Sequence, residues 1–167
     1  MKGNTLFLSI ILLSCITLII FSGCDAINAA FAKRYEKGCE KDNAKDCMMI
    51  GLLYFQGDGV PKDYLLAANL FEKSCSLGYG GGCHELADSF RFGLGVEKDT
   101  TRAIQLDMKA CNLGEALGCN SLGLDYRNGR MVPTDRERAA YFLQKACDMG
   151  EDLGCQNLKA LEKSPSK

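Results

Sequence analysis

Apolar and polar residues follow the spacing of one helix face along this chain, and the pattern returns every 36 residues. Apolar or small residues stand at positions i, i+3, i+4 and i+7 of each copy, which is typical of an α-helix that packs on one side. The small residue inside each stripe lets a neighbouring helix come close. Helices are therefore predicted to begin at about residues 44, 80, 116 and 152. The stripes are Cys47, Ile50, Gly51 and Tyr54, then Cys83, Leu86, Ala87 and Phe90, then Cys119, Leu122, Gly123 and Tyr126.

A second helix is predicted after each of these, beyond the segments "QGDGVPKD", "FGLGVEKD" and "NGRMVPTD". Glycine in each segment suits a tight turn, and the closing aspartate suits the N-cap of the next helix. These helices are expected over Tyr64–Leu77, Thr100–Leu113 and Arg136–Met149. The glycine that follows each one can adopt the left-handed conformation that ends a helix. Their buried stripes are Ala67, Leu70, Phe71 and Ser74, and again Ala139, Phe142, Leu143 and Ala146, whereas Asp107 replaces the large apolar residue in the middle copy.

The alternating helices predict an all-α fold, a solenoid of stacked antiparallel helix pairs. No single pair can bury its apolar face alone, so neighbouring units supply the core. The solenoid is predicted over residues 24–163, and the last residues, 164–167, are predicted to be a disordered tail. Within it we expect a half unit at 26–39, full units at about 40–75, 76–111 and 112–147, and a second half unit at 148–163.

The first 23 residues have the pattern of an export signal. Lys2 precedes an apolar run from Leu6 to Phe21, which is short for a membrane-spanning helix, and "FSGC" ends at Cys24. The segment resembles a bacterial lipoprotein signal, which implies lipidation of Cys24 and an anchor in the inner or outer membrane, facing the periplasm. An uncleaved anchor, or ordinary cleavage with release from the cell, are the alternatives.

Export changes the interpretation of the cysteines. Two of the ten lie in the leader, and the remaining eight form an even set in an oxidising compartment. Four of them stand at residues 39, 75, 111 and 147, and each of these is followed by another cysteine eight residues later. The repeat therefore predicts four disulfides, each closing a loop worth roughly 2.5 kcal/mol in the chain-entropy model. The pairs are Cys39 with Cys47, Cys75 with Cys83, Cys111 with Cys119, and Cys147 with Cys155.

The composition of the chain argues against nucleic-acid binding and against a zinc site. Twenty basic and twenty-one acidic residues leave no basic stripe, so a nucleic-acid partner is not expected. The single histidine and the absence of close Cys-x2-Cys pairs argue against a zinc site, and no cofactor is predicted.

The pattern "G-D-G-V-x-K-D…A…F-x-K-S-C-x-x-G" and its copies resemble the SEL-one-like repeat, a 36-residue relative of the tetratricopeptide repeat. The Cys-x7-Cys pair in each unit resembles the Hcp group of exported, cysteine-rich repeat proteins. This resemblance implies an α/α solenoid, a right-handed superhelix cross-linked by disulfides. It also implies two functions: an adaptor for a protein or peptide, or a weak penicillin-binding protein or β-lactamase acting on peptidoglycan-like or β-lactam ligands.

Enzymatic activity stays open at this level. A serine β-lactamase needs a nucleophile with a lysine one helical turn on. The only Ser-x-x-Lys is "SPSK", at Ser164 to Lys167, in the predicted tail. A metallo-enzyme of this kind would need several histidines. The residues alone therefore favour a binding scaffold over a β-lactamase.

The first helix of each unit is expected to line the concave face of the solenoid, where variable positions are free to bind a ligand. Arg91 and Arg127 are candidates for a bidentate clamp on a carboxylate. His84 is a candidate general base, but its equivalents Met48 and Asn120 favour an exposed polar position. The candidate groove residues are His84, Glu85, Asp88, Arg91, Asn120, Asp125 and Arg127.

Overall fold

A computed structural model describes residues 27–130 and 132–163 as an all-helical solenoid. The predictions for the leader, for lipidation of Cys24 and for residues 164–167 lie outside the described residues. Helix α1 covers residues 27–40. The others are α2 (Ala44–Gln56), α3 (Tyr64–Ser76), α4 (Gly80–Phe92), α5 (Thr100–Asn112), α6 (Ala116–Asn128), α7 (Arg136–Asp148) and α8 (Asp152–Lys163). All four predicted starts of the even-numbered helices are confirmed, and the odd-numbered helices α3, α5 and α7 end one residue earlier than expected.

Local capping explains these boundaries. The side chains of Asp63, Asp99 and Asp135 each accept a hydrogen bond of 2.9 Å from the third backbone N–H of the helix that follows. This satisfies one of the N–H groups that a helix start leaves without a partner. At the other end, Gly78 has a φ of 86°, a left-handed conformation that a residue with a side chain rarely adopts. The capping pattern predicted from the sequence is confirmed.

Consecutive helices pack as hairpins, and successive even-numbered helices also contact one another. The even-numbered helices therefore form one continuous layer of the stack. Small residues permit this packing: a Cβ added to Gly51 would lie 2.7 Å from the ring of Phe71, and one added to Gly123 would lie 2.6 Å from Leu143. The predicted role of the small residue in each stripe is confirmed at both positions.

The four predicted disulfides are present. Each joins the end of one odd-numbered helix to the first turns of the next even-numbered helix, with Cα–Cα distances of 4.5 to 4.7 Å. Hydrogen bonds reinforce the same junctions, since Lys73 Nζ donates to the carbonyl of Cys39 at 2.8 Å and Lys109 Nζ donates to that of Cys75 at 3.1 Å. Because each lysine lies one unit after its acceptor, these bonds stabilise the stacking of neighbouring units. None of the helices in the described part is long and apolar enough to cross a bilayer.

Candidate functional site

A pocket of about 400 Å³ opens between α4, α6 and the loop that leads into α5. Its size suits a small ligand or one or two residues of a peptide. Phe92 stands at its mouth with 62% of its surface exposed, which is unusual for a phenylalanine. The pocket is lined by Asp88, Arg91, Phe92, Lys98, Thr100, Ser121, Leu124, Asp125 and Arg130.

A fully buried carboxylate lies behind this pocket. Asp107 occupies the position of α5 that corresponds to Phe71 in α3 and Leu143 in α7, and all three are 0% exposed. Burying a carboxylate is costly unless it is paired and hydrogen-bonded. Asp107 is paired on both oxygens: Oδ1 lies 2.7 Å from Nδ1 of His84, and Oδ2 accepts a hydrogen bond from Arg91.

Arg91 links the buried carboxylate to the pocket. Besides Asp107, its guanidinium donates to Asp88 and, at 3.4 Å, to Oδ2 of Asp125. Burial works against the charged guanidinium, but the charge and hydrogen bond of Asp107 and the charges of Asp88 and Asp125 outweigh it and raise the pKa of Arg91. One guanidinium thus pairs with the buried Asp107 and with the two carboxylates that line the floor of the pocket, Asp88 and Asp125.

The neighbouring unit has an apolar version of the same arrangement. Met48, Phe55 and Phe71 occupy the positions of His84, Arg91 and Asp107, one unit earlier. Phe55 and Phe71 pack there with ring centroids 6.4 Å apart, and Met48 contacts the same cluster. Three positions that are apolar in one unit are therefore ionisable in the next, and they are in contact.

The environment shifts two further pKa values. Burial lowers the pKa of His84, but the hydrogen bond and charge of Asp107, with smaller contributions from Asp88 and Glu85, raise it above its ordinary value. Burial raises the pKa of Asp125, and Arg91 and Arg130 offset this only in part. The floor of the pocket therefore has more acidic than basic groups, which favours bound protons or another cation.

The Sel1 repeat profile matches the chain three times, at residues 44–79, 81–115 and 116–151, which together make up more than half of its length. The chain belongs to the Sel1 repeat family. The matched segments contain α2 to α7, so membership in the Sel1 repeat family accounts for the repeated helix pairs that build the pocket. No curated protein sequence matches the chain.

Solved Sel1-type structures share this architecture. A protective antigen present in uropathogenic Escherichia coli, displaying an SLR fold, aligns with a TM-score of 0.72 and 26% identity, over 81% of this chain and 29% of that chain. A Sel1 repeat protein from Oxalobacter formigenes aligns with a TM-score of 0.68 and 21% identity, over 82% of this chain and 59% of that chain. Cysteine rich protein B of Helicobacter pylori aligns with a TM-score of 0.61 and 29% identity, over 74% of this chain and 89% of that chain. This Sel1 repeat chain thus spans less than two thirds of the first two proteins, and the third supports the predicted cysteine-rich group.

The structure corrects two expectations for the candidate residues. His84 is not at an exposed polar position: its side chain is 12% exposed and bonds to Asp107. Arg91 is not free to clamp a carboxylate of a ligand, because three carboxylates of the protein already surround it. The sequence pattern could not reveal this, since Asp107 lies on a different helix.

The other candidates are divided between the pocket and its surroundings. Asp88 and Asp125 line the pocket. Glu85 is half-buried beside His84, and burial raises its pKa. Asn120 is buried and accepts a hydrogen bond from Asn157 at 2.9 Å, while Nε of Arg127 donates to Asn128 at 3.1 Å. Neither residue lines the pocket.

Lys98 and Arg130 are the pocket cations that sequence reasoning missed. Both are exposed, and within the described ranges neither has a hydrogen bond or an ion pair. Only the fold brings them together, because one lies in the loop before α5 and the other follows α6. Among the described residues, no three of the usual His, Cys, Asp and Glu ligands are placed to hold a metal ion.

Proposed function

We propose that this Sel1 repeat chain is a binding scaffold of the bacterial cell envelope, and that its pocket receives a peptide segment of a partner protein. The observation that carries the proposal is the pocket itself, formed by the continuous layer of even-numbered helices. It combines the exposed ring of Phe92 with two cations that have no ion pair in the described part of the chain. Exposed aromatic and cationic side chains at a concave site are typical of protein recognition. Sel1 repeats generally mediate protein–protein interaction, which supports the same function.

The envelope location forms a second part of the proposal. The export pattern of residues 1–23 and the even set of cysteines support lipidation of Cys24 and folding in an oxidising compartment. Labelling of cells with a palmitate analogue tests this directly. Label that is incorporated by the wild type and lost in Cys24→Ala supports the anchor, and equal label in both chains refutes it.

A photo-cross-linking experiment tests the scaffold function. A benzoylphenylalanine placed at Phe92 should form cross-links to partner proteins or peptides in the envelope, because that ring stands at the pocket mouth. Tyr141 offers a matched control, since it is also aromatic and 62% exposed but lies on α7, away from the pocket. Cross-links from position 92 and none from position 141 support the proposal, and equal cross-linking from both positions contradicts it.

The β-lactamase alternative has a separate readout. In the part of the chain that the structure describes, no serine hydroxyl is hydrogen-bonded to a lysine ammonium, and "SPSK" lies outside it. A scaffold should leave nitrocefin intact. If the purified chain hydrolyses nitrocefin, and Ser121→Ala in the pocket abolishes this hydrolysis, the scaffold function is refuted and the protein is an enzyme.

A further inference from the structure

The charges of the pocket are separated into an acidic floor and a basic rim. At the floor, Asp88 and Asp125 line the pocket and share the guanidinium of Arg91 with Asp107, which lies behind the pocket and is also paired with His84. At the rim, Lys98 and Arg130 have no ion pair within the described residues. The carboxylates around Arg91 therefore outnumber the cations that pair with them, and among the described pocket residues the cations without an ion pair are the two at the rim.

Asp125 is the floor residue whose pairing is least complete. It is only 6% exposed, its contact with Arg91 is the longest of the three at 3.4 Å, and that contact uses Oδ2. Its other oxygen, Oδ1, accepts no hydrogen bond from any residue in the ranges that the structure describes. Every buried side-chain nitrogen and oxygen atom of the described residues has a hydrogen-bond partner, so Oδ1 is not itself buried and reaches the open space of the pocket that Asp125 lines. Asp125 thus presents an acceptor to whatever enters.

We propose that the pocket binds a peptide whose C-terminal residue has an ammonium side chain, such as lysine, with the ammonium at Asp125 and Asp88 and the terminal carboxylate at Lys98 and Arg130. The proposal rests on the scaffold function above and specifies its ligand. A ligand with two negative charges would be repelled by the carboxylates of the floor, and a ligand with two positive charges would be repelled by the cations of the rim. A ligand with both charges satisfies both sets by charge-assisted hydrogen bonds.

The walls between floor and rim fit the stem of such a side chain. Phe92 and Leu124 line the pocket alongside the charged groups. A lysine side chain buries its methylene stem against apolar surface and keeps its ammonium among polar partners. An ammonium close to the face of Phe92 gains a further attraction from the ring.

Calorimetric titration of the purified, oxidised chain with small peptides tests this inference. The probe is N-acetyl-Ala-Leu-Lys with a free carboxylate. Two further peptides serve for comparison. The same peptide with a C-terminal amide lacks the negative charge that the rim should bind, and the peptide with norleucine in place of lysine lacks the ammonium. Each change should weaken binding at least about ten-fold, which is the usual size of one charge-assisted hydrogen bond. Free lysine should bind more weakly than the peptide if the ligand is a peptide terminus, and as tightly if the pocket takes the free amino acid.

Variants assign the two charges to the two ends of the pocket. Lys98→Gln and Arg130→Gln should each weaken the free-acid peptide and leave the amide unchanged. Asp125→Asn should weaken the lysine peptide and leave the norleucine peptide unchanged, with a thermal melt to show that this buried site remains folded. Lys62→Gln is the matched control, because Lys62 occupies the position of Lys98 one unit earlier and lies outside the pocket.

The outcomes separate this inference from the scaffold function. Equal affinity for all three peptides, or no binding of any of them while Phe92 still forms cross-links, refutes the ligand class and leaves the scaffold. Discrimination among the peptides that Lys98→Gln abolishes and Lys62→Gln does not supports the ligand class, even where no partner protein is cross-linked.

Discussion

A fourfold substitution that gives this network the residues found 36 positions earlier in the chain tests whether the buried charges serve stability or the pocket. The changes are His84→Met, Arg91→Phe, Asp107→Phe and Asp125→Ser, where the serine comes from the equivalent Ser89. Replacing a buried ionic network by well-packed apolar residues is neutral or stabilises a protein by about 1–4 kcal/mol, because the charges no longer have to be desolvated. The packed pair of Phe55 and Phe71 shows that this fold accommodates two rings at these positions. We therefore expect the fourfold variant to be at least as stable as the wild type.

Breaking the same network at one point should have the opposite effect. Arg91→Met takes the partner from Oδ2 of Asp107, which is fully buried, and leaves Asp125 without its hydrogen bond. An uncompensated buried charge costs about 3–5 kcal/mol. For a chain of this size, that free energy corresponds to a fall of roughly 10 °C in Tm. Arg127→Met, at the equivalent position of the third unit, removes a bond to the neighbouring Asn128 and no other side-chain hydrogen bond or ion pair within the described residues, and it should change the stability by less than about 0.5 kcal/mol.

Thermal and urea unfolding of the oxidised chains, followed by circular dichroism at 222 nm, measure these differences. A fourfold variant that loses as much stability as Arg91→Met would refute the reasoning, since the network would then contribute to the fold. A stable fourfold variant that no longer binds the lysine peptide would assign the charges to the pocket.

Three further predictions concern pH, unit stacking and the disulfides. The pKa of His84 is raised in the folded chain. The contribution of His84 to stability is therefore complete below its unfolded pKa of about 6.5, and it is lost as the pH rises through the folded value. Thermal melts should show that stability increases from pH 8 to pH 6, and His84→Met should reduce this increase. Lys109→Met should cost about 1 kcal/mol in urea unfolding, because it removes a bond to Cys75, whereas Lys145→Met should cost less, since no such bond is present there in the described structure. Replacing Cys111 and Cys119 by serine should cost about 2–3 kcal/mol, and non-reducing peptide mapping that finds other pairings would contradict the scheme.

The helices could be predicted from the sequence because the relevant signals are local and repeated three times. Each N-cap aspartate acts on a backbone N–H three residues later, and each stripe lies within one helix. An isolated stripe would leave the helix ends uncertain, but the period of 36 fixes them in all copies at once. The disulfide pairing follows for the same reason, since the two cysteines of each pair are eight residues apart.

The site could not be predicted in the same way because its contacts cross helices. Asp107 stood out as a departure from the stripe, but its partner His84 lies 23 residues earlier, on the helix packed against it. One signal was available in the aligned units: three positions change from apolar to ionisable together between the first unit and the second. Lys98 left no such signal, since the equivalent residue one unit earlier is also a lysine, Lys62, and Arg130 lies in a turn whose residues differ between units.

The disulfides explain how the chain tolerates charged residues in its core. A short solenoid has little core, and an ionic cluster in its middle unit replaces apolar contacts that the first unit makes. Four crosslinks at the unit junctions stabilise the stack by restricting the unfolded chain, and this contribution does not depend on what fills the core. The chain can therefore keep Asp107 and Arg91 where a pair of phenylalanines would fit. A fourfold variant as stable as the wild type would show that these charges are not needed to hold the helices together, and their position behind an open pocket would then be explained by the proposed ligand.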